Sequence, residues 1–220
     1  MCYTKIILLF SSFLFTFSVS ADEINLERRV GKKFQKITVK DVIVVEETQS
    51  CIRYLRFNKE SQSPEPRLAN KTEGGDDRCA VAIKSSDDDR RKIIANWKKR
   101  AFTAKVILTD GSTHTVNCIS IKYPLSSSLK NEALPEWHKP ALLLRNGDEL
   151  KFPKIKKLQM DIKSAIVAVE YKDGKQQSLQ YVIKRRIHNG DLPGVLTGVT
   201  DAFAYFRVTI DKIKEIEFIE

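Results

Sequence analysis

The chain has 220 residues, a formal charge of +10, a 42% apolar fraction and a 30% charged fraction. That composition excludes a wholly disordered chain, and the length allows one or two domains with a buried core. The positive balance points toward anionic partners (an acidic glycan, nucleic acid or a lipid headgroup), although net charge alone also serves solubility.

Residues 1–21 read as a signal peptide. Lys5 is a short basic start, Ile6 to Val19 is an apolar run, and Val19-Ser20-Ala21 has the small-residue spacing of a cleavage site. The run is shorter than the roughly 20 apolar residues that a membrane span needs. The expectation is an exported protein, periplasmic or extracellular, that begins at Asp22 and has no transmembrane segment after cleavage. Export permits disulfides. Of Cys51, Cys79 and Cys118, the first two lie on strand-like segments flanking a polar loop, so a Cys51–Cys79 bridge is expected, adding about 3 kcal/mol. Cys118 shares a strand face with Val116 and reads as a small buried side chain.

Residues 22–102 form an N-terminal region. Lys36 to Val45 is a β-branched strand, Glu46 to Thr48 a turn, and Ser50 to Phe57 a second strand, together a hairpin. Asn58 to Asp77 reads as a charged loop because of Pro64, Pro66 and the Gly74-Gly75 pair. Cys79 to Lys84 returns to strand. The segment from Asp87 to Arg100 is the convincing helix. Ser86 or Asp87 caps it, the acids fill its first turn, and Lys98, Lys99 and Arg100 fill its last. Ile93, Ile94, Trp97 and Ala101 fall on one face.

Two copies of a β-module follow, 103–161 and 162–220. Each has a hairpin at an Asp-Gly turn, Asp110-Gly111 and Asp173-Gly174. Each ends in a matched stretch. Leu150, Phe152, Ile155, Leu158 and Met160 overlay Val208, Ile210, Ile213, Ile216 and Phe218, and Lys-Ile-Lys is common to both. In the same overlay Cys118 falls on Tyr181. The fold class expected is mainly β with one helix: two related small barrel-like or sandwich-like units after a hairpin region.

No motif for catalysis, metal or cofactor binding emerges. His114, His138 and His188 lack a second ligand at metal spacing, and no nucleophile motif or calcium loop occurs. No cofactor is expected. The functional hint is basic clustering around an aromatic residue. Arg90, Arg91, Trp97, Lys98, Lys99 and Arg100 form one cluster and Lys184, Arg185 and Arg186 another, both suited to an anionic polymer. The expected function is a non-enzymatic exported or envelope-associated binding protein. The alternatives are an adaptor that binds a protein by strand addition at a sheet edge and a hydrolase using an unrecognised carboxylate pair.

Overall fold

The computed structural model describes residues 22–73, 76–124, 136–187 and 190–219. The expected signal peptide, His188 and the Gly74-Gly75 pair lie outside the described residues. The protein is mainly β, with several antiparallel sheets, one α-helix and no closed barrel among the described residues.

The N-terminal region holds five strands: β1 (Asp22–Val30), β2 (Lys33–Glu47), β3 (Cys51–Asn58), β4 (Ser63–Asn70) and β5 (Asp77–Ile83). They form one sheet in the order β4-β3-β2-β1-β5. Its inner face buries Ile24, Leu26, Val42, Val44, Ile52 and Tyr54. The expected loop over Asn58 to Asp77 is corrected here, since β4 pairs with β3 from Asn58↔Ser63 to Cys51↔Asn70. Pro64 and Pro66 hid this strand from a reading based on breakers. They are tolerated because β4 is an edge strand, where proline's missing N–H breaks no ladder bond. The expected Cys51–Cys79 disulfide is not formed, and both cysteines are free thiols. Cys51 opens β3, whereas Cys79 lies in β5, with β2 and β1 between them in the sheet. Cys79 also sits at a left-handed bulge (φ 54°) with its side chain exposed.

The helix α1 (Asp87–Lys98) starts as its sequence dictates. The Ser86 hydroxyl accepts from the Asp89 N–H, and three acids occupy the first turn. Its buried residues are Ile93, Ile94 and Trp97. They pack with Ile43, Leu55, Cys118 and Val199, joining the N-terminal sheet to the rest of the molecule. Each such side chain contributes about 1.5–3 kcal/mol by leaving water.

The remaining strands are β6 (Thr103–Leu108), β7 (Thr113–Pro124), β8 (Glu136–Lys139), β9 (Ala141–Leu143), β10 (Glu149–Lys151), β11 (Ile155–Asp161), β12 (Ile166–Tyr171), β13 (Gln176–Gln180), β14 (Lys184–Ile187), β15 (Gly190–Pro193), β16 (Val195–Val199), β17 (Tyr205–Thr209) and β18 (Ile213–Ile219). A short 3-10 turn precedes β11, and another precedes β18. The long sheet runs β13-β12-β11-β18-β6-β7-β16-β17, with β8 beside β7.

This order interlocks the two sequence modules. The last strand of each pairs with the first strand of the other. Leu158 faces Val169 and Ile216 faces Val106. β11 and β18 then meet each other at Leu158↔Ile216, the two residues that overlay in sequence. The exchange continues outward: β16 pairs with β7, and Val182 and Arg145 N–H groups bond Leu143 and Gln180 carbonyls. One half therefore comprises β6, β7 and β16–β18, and the other comprises β11–β13 with the separate two-stranded sheet of β9 and β10 beside them. A single core runs through both, including Val106, Leu158, Val169 and Ile216. The modules are thus not separate barrels. The hydrogen bonds also shift one match. The Ile119 N–H bonds the Phe102 carbonyl, and the Tyr181 N–H bonds the Ala165 carbonyl. Ile119, not Cys118, is the structural counterpart of Tyr181. Cys118 is the extra residue of a bulge, at φ 56°.

Candidate functional site

The clearest basic feature lies where α1 meets β2 and β3, an open cleft of ≈ 560 Å³. A bulge in β2 brings its first two polar residues to the rim. The register jumps from Val39↔Ile24 to Val42↔Asp22, Asp41 takes a left-handed φ of 57°, and Lys40 and Asp41 turn outward. The end of β3 and the following turn add Arg56 and Lys59, and the end of α1 adds Lys99 and Arg100. Five cations thus surround one carboxylate. Elsewhere many bases are neutralised: Arg28 by Asp77, Arg78 by Glu27, Lys156 by Glu170 and Lys157 by Glu215. Arg56, Lys59, Lys99 and Arg100 make no ion pair among the described residues.

The floor of the cleft is Phe57 stacked on Trp97, with centroids 5.7 Å apart and planes 26° from parallel. Trp97 is only 6% exposed. Its ring is held in the core and leaves no open face for a base or sugar. The cleft reads charge, and the stacking role expected of Trp97 falls away.

The sequence-derived cluster is divided by the structure. Lys99, Arg100 and Trp97 line the cleft. Lys98 stands 3.8 Å from Asp201, and Arg91 pairs with Asp88 along the helix. Arg90 turns inward, 15% exposed, and pairs with the fully buried Asp22. The Asp22 carboxylate also accepts from the Val44 N–H at 2.7 Å and from the Ser85 N–H and hydroxyl. Arg90 therefore holds α1 to the sheet. Lys184, Arg185 and Arg186 lie on β14, half of a two-stranded ribbon with β15, and none of them lines the cleft. Lys40, Arg56 and Lys59 were missed because, in sequence, they are isolated bases on strands and in a turn.

A second group was not legible at all. The Ser120 hydroxyl and His138 Nε2 are 2.5 Å apart, and His138 Nδ1 is 3.1 Å from Glu65 Oε1. Thr197 Oγ1 lies 3.1 Å from the Ser120 oxygen. Glu65 also accepts from Asn58 and Arg67. The order of groups is that of a nucleophile, base and acid, but the setting differs. Ser120 is fully buried and sits across the ladder from Thr197, itself 1% exposed. No substrate carbonyl reaches such a hydroxyl. Together with Thr197, the trio instead ties β4 to β7, β8 and β16.

The hydrogen bond from His138 depresses the Glu65 carboxyl to about 2 against the cost of burial, with Asn58 and the Lys122 charge assisting. Because the folded value lies below the ordinary 4.5, this contribution is complete above pH 4.5 and fades as pH falls toward 2. With partial solvent screening it amounts to about 2 kcal/mol. Urea unfolding at pH 5 and pH 2.5 should show a stability loss larger in the wild type than in Glu65→Gln by about that amount. Equal losses in both proteins would remove Glu65 from the acid sensitivity.

The Cys118 thiol, also buried, is pushed up to about 12 and is no nucleophile at neutral pH. Among the described residues no group of three or more His, Cys, Asp or Glu side chains is placed to hold a metal ion. No helix among them is long and apolar enough to cross a membrane. No family model matches the chain, and no curated protein or solved structure matches it.

Proposed function

We propose that this protein is an exported, non-enzymatic binding protein that engages an anionic polymer through the cleft between α1 and strands β2 and β3. The observation that supports this reading most is the grouping of Arg56, Lys59, Lys99 and Arg100 without acid partners, on a surface where many other bases are paired. Cations held close together without acid partners repel one another, and a sulfate or phosphate row relieves that repulsion. Since Trp97 is closed off, recognition rests on charge spacing and not on base stacking. Export rests on the signal-like segment of the sequence. The strand-addition alternative gains little at the N-terminal sheet. Pro64 and Pro66 remove donors from edge β4, and the Cys79 bulge distorts edge β5.

The test is binding to heparin and to duplex DNA across a salt series, wild type beside Arg56→Ala/Lys59→Ala/Arg100→Ala. The expected result is a steep salt dependence and an affinity about 10–100-fold lower in the variant, with a slope shallower by up to ~2.7. No binding by the wild type at low salt, or equal binding by the variant, would reject the cleft as a polymer site.

A further inference from the structure

The two halves of the long sheet obey the same hydrogen-bond pattern, so a position in one half can be compared with its counterpart in the other. In the first half, Phe102 packs edge-on against Phe152 and Phe218, with centroids 6.2 and 6.5 Å away. The counterparts are Ala165, Ile210 and Met160, all smaller. An open recess of ≈ 550 Å³ lies beside Ala165, where no ring like that of Phe102 stands.

The recess is chemically marked. Tyr181, which lines it, is fully buried, yet its hydroxyl has no hydrogen-bond partner among the described residues. The same is true of Asp211 Oδ1, also in the lining. The Tyr181 hydroxyl is pushed up to about 12 by burial and by the nearby Asp161 and Asp211 carboxylates, so it remains a donor. An unmet buried donor and an unmet buried acceptor each cost about 1–3 kcal/mol. The fold does not require either one, because the matching positions of the repeat hold Ile119 for Tyr181 and Pro153 for Asp211. Arg145 and Lys184 add positive charge to the rim, and Ile162, Val182 and Ile183 add an aliphatic wall.

We propose that this recess binds a small zwitterion, an aliphatic α-amino acid. Its ammonium pairs with the partly exposed Asp211 carboxylate, its carboxylate meets Arg145 and Lys184 at the rim, and its side chain lies on the aliphatic wall. A plain anion would leave Asp211 unmatched, and a plain cation would face Arg145 and Lys184. Buried hydrogen-bonding groups discriminate sharply against ligands that leave them unpaired.

The test is calorimetric titration of the intact protein with L-leucine, D-leucine and glycine, beside N-acetyl-leucine and leucinamide, which each keep one charge. The proposal expects leucine to bind, with at least a tenfold weaker response from both single-charge analogues. Asp211→Asn and Arg145→Ala, both changes at partly or fully exposed positions, should each lower leucine affinity at least tenfold while leaving the melting temperature in place. Stronger binding of one leucine enantiomer would show that the wall contacts the side chain. No heat from any amino acid up to about 10 mM, equal binding of N-acetyl-leucine, or unchanged affinity in Asp211→Asn would each overturn the assignment.

Discussion

Asp22→Ala should be among the most damaging single substitutions in this chain, lowering the unfolding free energy by about 3–5 kcal/mol. Asp22 is fully buried. Its carboxylate meets Arg90 at 3.2 Å, the Val44 N–H at 2.7 Å, and both the N–H and hydroxyl of Ser85. Alanine would strand a mostly buried guanidinium and two backbone donors together. The attachment of α1 depends on this one side chain, because Ser85 leads directly into the Ser86 cap and Arg90 lies one turn along. Chemical denaturation followed by tryptophan fluorescence is the direct measurement, since Trp97 packs in the same junction. Asp22→Asn keeps the shape but turns a donor toward donors, so it should fall between alanine and wild type. An alanine variant within about 1 kcal/mol of wild type would show that the junction does not depend on this carboxylate.

Much of the secondary structure is written locally. The β-branched run at Lys36 to Val45, the Asp-Gly turns and the capped helix all reappear in space, because propensity, turn chemistry and capping act within a few residues. The sequence overlay of Leu158 on Ile216 also has a counterpart in the sheet, where those two residues face each other. What local pattern does not carry is which strand pairs with which. Nothing near β18 states that its neighbours will be β11 and β6, since alternation fixes a face and not a partner. β4 was hidden by its prolines, which are breakers only if the strand is central.

The site divides in the same way. Basic residues adjacent in sequence looked like one surface, but a helix turns successive side chains 100° apart, and Arg90, Arg91 and Lys98 went to three different partners. The cations that complete the cleft come from a β-bulge and a strand end, features that the sequence marks only weakly. Glu65, Ser120 and His138 lie on three strands, so their meeting is a consequence of tertiary pairing alone. The face of α1, by contrast, was legible. Ile93, Ile94 and Trp97 share a helical period, and that period already implies the burial that closes Trp97 to ligands.

Gly198→Ala should lower stability by about 3 kcal/mol, at the upper end of the overpacking range. Gly198 lies in β16 where the ladder to β7 skips from Thr197↔Ser120 to Val199↔Asn117. A Cβ there would meet the Asn117 carbonyl oxygen at 2.7 Å and overlap a methyl of Val116. Gly194 is under a comparable constraint, because its Cβ would overlap the Tyr123 ring and meet Ile210 at 2.5 Å, both fully buried, and the Tyr123 hydroxyl is held by the Val182 carbonyl. The Asn117 backbone has little freedom, because its own side chain accepts from Thr103 and donates to Asp201, and Cys118 beside it already occupies the bulge. Any retreat of that carbonyl displaces β7 at the point where Cys118 and Val199 pack against α1, so the strain should spread to the junction that supports the basic cleft. For a chain of this size the cost corresponds to a melting temperature about 6–12 °C lower. A Gly198→Ala protein that melts with the wild type would mean that β16 can slide on β7, and the interlocking of the two sequence modules would then be looser than their shared core implies.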